Sequence, residues 1–155
     1  MVPQNNFIGS VAERYDTDSA EMFQPAVLEA TSEFLATEAS DGRALGFGIG
    51  TGRVAIPLNA RGVQVHGIDI SADMIDQLHR KPGSAATRTT IGDFAETVVD
   101  GEFSLVYVVF NSIGNLVDQA EWVQTFRNAA RHLQPGGRFP FTSDSEKSIS
   151  VWERH

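Results

Sequence analysis

The sequence predicts an α/β fold built on a doubly wound, mostly parallel sheet. Short apolar segments alternate along the chain with helical ones, which is the pattern of right-handed βαβ units. The segment Phe103–Phe110 is nearly unbroken in its apolar character, as expected for a parallel strand that is covered on both faces. The 155 residues suffice to bury one continuous core, so we expect one domain overall.

Composition and charge exclude several classes of protein. The chain has no cysteine for disulfides or thiolate metal sites, and its four histidines show no metal-ligand spacing. Its net charge of −8 provides no basic stripe for a nucleic acid. The N-terminus lacks the pattern of a secretory signal, and the longest wholly apolar run, Leu105–Phe110, is too short to cross a bilayer. We therefore expect a cytoplasmic protein with no membrane or nucleic-acid partner.

The first 42 residues have a polar, helical pattern. Thr17 or Asp18 is placed to cap a helix, and the segment 39–42 interrupts the pattern. The apolar stripe of this helix consists of Met22, Val27, Leu28, Phe34 and Leu35. We expect a helical segment over residues 1–42, ahead of a sheet over residues 43–155.

Five strands and three connecting helices are expected after that interruption. The strands are Arg43–Gly48, Val63–Asp69, Thr87–Ile91, Phe103–Phe110 and Arg138–Thr142. The helices are Arg53–Ala60, one that Ser71 caps and that ends before Pro82, and one that runs from Asp118 or Gln119 to the break at Pro135. The carboxyl ends of parallel strands meet at one edge of the sheet, which is where the ligands of such folds bind.

Four glycines stand at alternate positions just after the first strand, in the segment Gly46–Arg53. Glycine lets the backbone approach a ligand closely, and the following helix turns free N–H groups towards the same space. The alternative is a tight turn that simply needs glycine. A dinucleotide fingerprint, G-x-G-x-x-G, fits neither register, because its last position falls on Arg53 or on Thr51. The spacing therefore disfavours a nicotinamide-dependent oxidoreductase, which is kept as an alternative.

Polar side chains follow the second and fourth strands. Asp69 ends the second strand, where a carboxylate can accept hydrogen bonds from both hydroxyls of a ribose. The alternative role of Asp69 is to cap the next helix, but Ser71 is better placed to do so. Phe110 and Asn111 end the fourth strand, and Asn111 either caps a helix or lies in the site.

Five motifs occur in the order found in one enzyme family: Gly-Ile-Gly-Thr-Gly-Arg, His-Gly-Ile-Asp-Ile-Ser, Ile-Gly-Asp-Phe, Val-Val-Phe-Asn-Ser and Leu-Gln-Pro-Gly-Gly-Arg-Phe. From about Tyr15 to Phe139 the chain resembles class I methyltransferases that depend on S-adenosylmethionine (SAM), in particular small bacterial ones related to the sugar N-methyltransferases. The resemblance implies a Rossmann-like sheet with strand order 3-2-1-4-5, a helical lid over residues 1–42 and a SAM-binding domain over residues 43–155. It also implies SAM as the cofactor and methyl transfer to a small-molecule acceptor.

The same resemblance assigns cofactor-binding roles to residues of the motifs. The glycine loop packs against the methionine part of the cofactor, near a lid tyrosine that corresponds to Tyr15. The acid and the aromatic residue of Gly92–Phe94 bracket the adenine, with Met74 on its other face, although core packing is the alternative for Phe94 and Met74. The implied binding residues are Tyr15, Gly48, Gly50, Thr51, Gly52, Asp69, Ile70, Met74, Gly92, Asp93, Phe94, Phe110 and Asn111. No general base is identified, so the catalytic residues stay unassigned.

The chain departs from the family's pattern in two places. Gly46 stands where relatives carry Glu or Asp, which removes an anionic group near the methionine part of the cofactor. The segment after Pro140 is polar and lacks the family's last hairpin, and a proline fits an edge strand better than a central one. We therefore expect the fifth strand to be an exposed edge at which a homodimer can form. Both departures also leave open an alternative, a SAM-binding remnant with impaired catalysis.

Overall fold

A six-stranded sheet forms the centre of the fold, in the order β3-β2-β1-β4-β5-β6. The structure, a computed structural model, describes residues 8–18, 20, 24–109, 119–142 and 149–155. Its helices are α1 (Ser10–Asp18), α2 (Pro25–Ala39), α3 (Ala55–Ala60), α4 (Ala72–His79) and α5 (Gln119–His132). Its strands are β1 (Ala44–Phe47), β2 (Val65–Asp69), β3 (Arg88–Ile91), β4 (Phe103–Tyr107), β5 (Leu133–Thr142) and β6 (Ile149–Glu153).

The parallel part of the sheet confirms the predicted order 3-2-1-4-5. β1 pairs in parallel with both β2 and β4, and every residue of β1 and β4 is buried. Each face of the sheet carries its own apolar cluster, one packed against α2, α3 and α4 and the other against α5. Coverage of both faces explains why these strands are continuous apolar runs rather than alternating ones. Within the described ranges, no helix combines the length and the apolar character needed to cross a membrane.

The prediction of five strands was wrong by one strand. β6 pairs antiparallel with β5, with Phe139 opposite Trp152, so β5 lies inside the sheet and not at its edge. Pro140 is accommodated there because its carbonyl still accepts a hydrogen bond from the N–H of Val108, at 3.2 Å. β6 was not predicted because the tail is polar overall. Val151 and Trp152 of this outer strand stay partly exposed, so the strand does not need a continuous apolar pattern. The prediction that the fifth strand is an exposed edge for dimerisation was therefore wrong, because β6 covers that edge.

The N-terminal segment forms two helices in the described residues, and the predicted cap was wrong. Thr17 and Asp18 belong to the last turn of α1, whereas Gln24 precedes α2 without a side-chain capping bond. Pro25 occupies the first turn of α2, where the missing N–H costs nothing. The backbone N–H of Gly9 donates to the Asp73 carboxylate at 2.8 Å, which places α1 beside α4. Met22 lies outside the described residues, and the function of this segment as a lid stays a prediction.

Candidate functional site

The carboxyl ends of the parallel strands meet as predicted, and backbone hydrogen bonds join the segments that follow them. The N–H of Gly48, after β1, donates to the carbonyl of Ile68 in β2 at 2.8 Å. The N–H of Gly92, after β3, donates to the carbonyl of Asp69 at 2.9 Å. The glycine loop, Asp69 and the Gly92 turn therefore form one continuous edge.

Three positions of the glycine loop have backbone conformations that favour glycine. Gly48, Gly50 and Gly52 have φ angles of 70°, 58° and 79°, in the left-handed region that side chains disfavour. At Gly52 there is a second reason, because a Cβ atom would lie 2.8 Å from Cγ of Leu78 in α4. The loop thus packs tightly on α4 while its start stays at the edge of the sheet.

Asp69 holds the glycine loop and the start of α4 at the same time. Its Oδ2 atom accepts a hydrogen bond from the N–H of Gly50, and its Oδ1 atom accepts one from the N–H of Ser71, both at 2.8 Å. Ser71 caps α4 as predicted, since its hydroxyl accepts from the N–H of Met74 at 3.2 Å. Burial raises the pKa of the Asp69 carboxyl above 3.8, and the two backbone hydrogen bonds oppose that rise. Each carboxylate oxygen keeps a further acceptor position, so a ligand hydroxyl can still be bound.

Of the residues predicted to bracket an adenine, Phe94 packs against the apolar cluster on the α5 side of the sheet, and Met74 is buried. Phe94 stacks on Phe47 with ring centroids 5.4 Å apart, and Met74 is only 3% exposed. Asp93 closes a local turn, because its Oδ1 atom accepts from the N–H of Ala95 at 2.9 Å. Ile70 is half-buried directly after Asp69. These contacts support the core interpretation of Phe94 and Met74, and the adenine roles stay predictions.

A small cavity of about 50 Å³ lies beside the glycine loop and joins several predicted residues. Tyr15 from α1 lines it together with the backbone of the loop, and burial raises the pKa of the Tyr15 phenol. The full lining is Tyr15, Phe47–Thr51, Arg53, Val54, Tyr107 and Val109. A wider depression of about 520 Å³ runs along α5, past Arg127 and Arg131, and shares no residue with this cavity. Phe110 and Asn111, predicted to complete the site, lie outside the described residues.

Three charged residues near the loop were missed by the sequence reasoning. The Asp16 carboxylate accepts from the Thr51 hydroxyl at 2.5 Å and pairs with Nε of Arg53 at 2.8 Å and with Nζ of Lys81 at 2.6 Å. Burial alone would raise the pKa of Asp16, but the hydrogen bonds from Lys81 and Thr51 and the two cationic charges hold it below 3.8. In the sequence, Asp16 is next to the predicted residue Tyr15, and Arg53 is next to Gly52. This adjacency is the signal from which two of the three missed residues could have been found.

Fold and site together define an α/β protein with a candidate ligand-binding edge at the carboxyl ends of its parallel strands, where a glycine loop is fixed by an acidic residue of the next strand. The chain belongs to the methyltransferase domain family, whose model matches residues 44–137. The matched segment runs from β1 to the middle of β5 and includes the glycine loop, Asp69 and the Gly92 turn.

Similar proteins support this membership. The cypemycin N-terminal methyltransferase of a Streptomyces species is 34% identical over 98 residues, which are 63% of this chain and 40% of that protein. The structure of the CcbJ methyltransferase from Streptomyces caelestis matches 76% of this chain and 49% of its own, with 35% identity and a TM-score of 0.70. SAM-bound CalS10, an amino pentose methyltransferase from Micromonospora echinaspora, shares the fold at 21% identity, with 89% and 57% of the two chains covered and a TM-score of 0.69. The chain thus spans less than half the length of the first two proteins.

Proposed function

We propose that this chain binds SAM across the carboxyl ends of its parallel strands and transfers the methyl group to a small-molecule acceptor. The observation that carries the proposal is the hydrogen bond from Gly50 to the Asp69 carboxylate, within a chain that belongs to the methyltransferase domain family. When bound, SAM supplies a methyl group that its sulfonium has already activated. The protein then has to bind, orient and shield the reacting groups.

The groups along the edge are proposed to bind the parts of the cofactor in order. The free acceptor positions of Asp69 suit the two hydroxyls of a ribose, because a charged acceptor strengthens each hydrogen bond. The turn at Gly92–Phe94 lies one strand further along and is proposed to face the adenine. On the other side, the cavity lined by Tyr15 and the glycine loop is proposed to take the amino-acid end. The negative net charge also suits a cationic cofactor.

We propose an amine as the acceptor class to be tested first. Two of the similar proteins bear names that refer to groups or molecules with an amine, the N-terminus of cypemycin and an amino pentose. An uncharged amine is itself a nucleophile, so alignment in line with the methyl group is the main task of the protein. The residues that position the acceptor stay unassigned.

Calorimetric titration of the folded protein with SAM, and separately with S-adenosylhomocysteine, tests the cofactor. We expect micromolar binding of both ligands. A folded protein that binds neither would contradict the proposal. Mass spectrometry of an amino sugar and of a peptide with a free N-terminus, each incubated with SAM and the protein, then tests methyl transfer.

A SAM-binding remnant without catalysis is the second candidate function. Gly46 favours it, because the family resemblance implies a carboxylate at this position and the chain offers none there. Cofactor binding without methylation of any offered amine or hydroxyl would support the remnant. Turnover on any acceptor would exclude it.

A further inference from the structure

The side chain of Tyr107 occupies the space that Gly46 leaves empty. The two residues face each other in the parallel pair of β1 and β4. A Cβ atom added to Gly46 would lie 2.8 Å from the Oη atom and 2.9 Å from the Cζ atom of Tyr107. Any side chain at position 46 would therefore have to push the tyrosine ring aside, so the glycine and the position of the ring depend on each other.

The hydroxyl of Tyr107 has no hydrogen-bond partner among the described residues, although it is buried. The residue is only 3% exposed, and burial raises the pKa of its phenol, so the group stays protonated at neutral pH. A buried hydroxyl without a partner costs free energy, whereas a phenylalanine at the same place would not. Such a group is retained at a cost to stability that a bound ligand can offset.

Tyr107 is one of the residues that line the small cavity of the candidate site. Tyr107 lines it together with Tyr15, Arg53 and the backbone of the glycine loop. Its volume of about 50 Å³ admits a small polar group such as an ammonium and excludes a nucleoside. Arg53 of the same lining is already paired with Asp16, whereas the phenolic oxygen of Tyr107 is an acceptor for a donor group such as an ammonium. The ammonium of an amino-acid end matches this acceptor.

We propose that Tyr107 is a cofactor-binding residue: its hydroxyl accepts a hydrogen bond from the ammonium of the amino-acid end of SAM, and Gly46 is the residue that makes room for it. The inference rests on the proposed function and adds a binding residue from β4. A phenol thereby supplies the hydrogen-bonding group that no side chain at position 46 provides. The assignment concerns only the amino-acid end and leaves the nucleoside end unaffected.

The Tyr107→Phe variant tests the proposal, because it removes the hydroxyl and keeps the ring. The two probes are S-adenosylhomocysteine and 5′-methylthioadenosine, which shares the thioether nucleoside but lacks the amino-acid end. We expect the affinity for S-adenosylhomocysteine to fall about tenfold, the effect of losing a hydrogen bond to a charged group. The affinity for 5′-methylthioadenosine should stay unchanged, and the Tm of the unliganded protein should rise.

Thr87→Val is the matched control. The Thr87 hydroxyl is also buried without a partner among the described residues, but it precedes β3 at the opposite end of the sheet. This variant should raise the Tm of the unliganded protein and leave both affinities unchanged. Gly46→Ala is the complementary variant: it should displace the ring of Tyr107, lower the Tm and weaken S-adenosylhomocysteine more than 5′-methylthioadenosine.

The outcomes separate the two proposals. If the wild-type protein binds both probes and Tyr107→Phe weakens neither, the hydroxyl is a structural group, and the inference fails while the proposed function stands. A fall in Tm with unchanged affinities leads to the same conclusion and indicates a buried water as the partner. If the folded wild-type protein binds neither probe, the proposed function fails, and the inference fails with it.

Discussion

The carboxylate of Asp69 and the backbone N–H of Gly50 are joined by a hydrogen bond of 2.8 Å, although 19 positions separate them in the sequence. The acid at the end of β2 thereby fixes the loop that follows β1. Because the other carboxylate oxygen accepts from Ser71, a single side chain sets the geometry of two segments of the site. Loss of the Asp69 side chain should therefore alter the positions of the glycine loop and the start of α4, and it should also remove a hydrogen-bond acceptor from the site.

The first prediction concerns Asp69→Ala. We expect the affinity for SAM to fall at least about tenfold, because two backbone donors lose their acceptor and the proposed ribose contact is lost with them. Calorimetric titration measures the change. Asp76→Ala, which removes an exposed carboxylate from the nearby α4, is the control and should keep the wild-type affinity. An unchanged affinity of Asp69→Ala would refute the assignment of Asp69.

The second prediction concerns the pH dependence of cofactor binding. Burial holds the pKa of Asp69 above 3.8, so in the folded protein its carboxylate is protonated at a higher pH than in the unfolded chain. Protonation removes acceptor capacity, and the affinity for S-adenosylhomocysteine should therefore decrease as the pH falls through this raised pKa. Titrations at a series of pH values should show the decrease in the wild-type protein and not in Asp69→Asn. The same slope in both proteins would attribute the decrease to another group.

The third prediction compares two glycines that both have a positive φ angle. Gly62 has a φ angle of 93°, and a Cβ atom added there would meet no atom within 4 Å. We therefore expect Gly62→Ala to lower the free energy of unfolding only by the backbone strain, about 1–2 kcal/mol. Gly52→Ala adds a Cβ atom 2.8 Å from Leu78, and we expect a further loss of roughly 1–3 kcal/mol from overpacking. Urea denaturation of both variants measures the difference. Equal losses would show that the contact between the loop and α4 relaxes freely.

Local pattern explains what the sequence predicts correctly. The glycine loop and the cap by Ser71 depend on residues close in sequence, whereas the order of the parallel strands was implied by the family resemblance. β6 was missed because an outer strand buries too little apolar surface to show a clear pattern. The contact of Asp16 with Thr51, and the lack of a partner for the Tyr107 hydroxyl among the described residues, depend on tertiary packing, which no short motif encodes.

The fourth prediction concerns the charged contact between α1 and the glycine loop. Asp16 connects α1 to Thr51, Arg53 and Lys81, and these partners hold its pKa below 3.8. A carboxyl whose pKa is lower in the folded protein than in the unfolded chain stabilises the fold at pH values above the unfolded-state pKa. This contribution is lost as the pH falls through the pKa of the folded state. We therefore expect the wild-type protein to lose stability at acidic pH, below about 3.8, in a way that Asp16→Asn does not.

At neutral pH, Asp16→Asn should loosen α1 rather than unfold the domain. The Asp16 side chain is 35% exposed, so each of its ion pairs contributes roughly 1 kcal/mol or less. Amide hydrogen exchange of residues 10–18 should become faster, while the strands of the sheet stay protected. Glu29→Gln, a change on α2, breaks the exposed ion pair between Glu29 and Arg61 and should leave exchange in α1 unchanged. If exchange in α1 is the same in Asp16→Asn and in the wild-type protein, contacts other than those of Asp16 hold this helix.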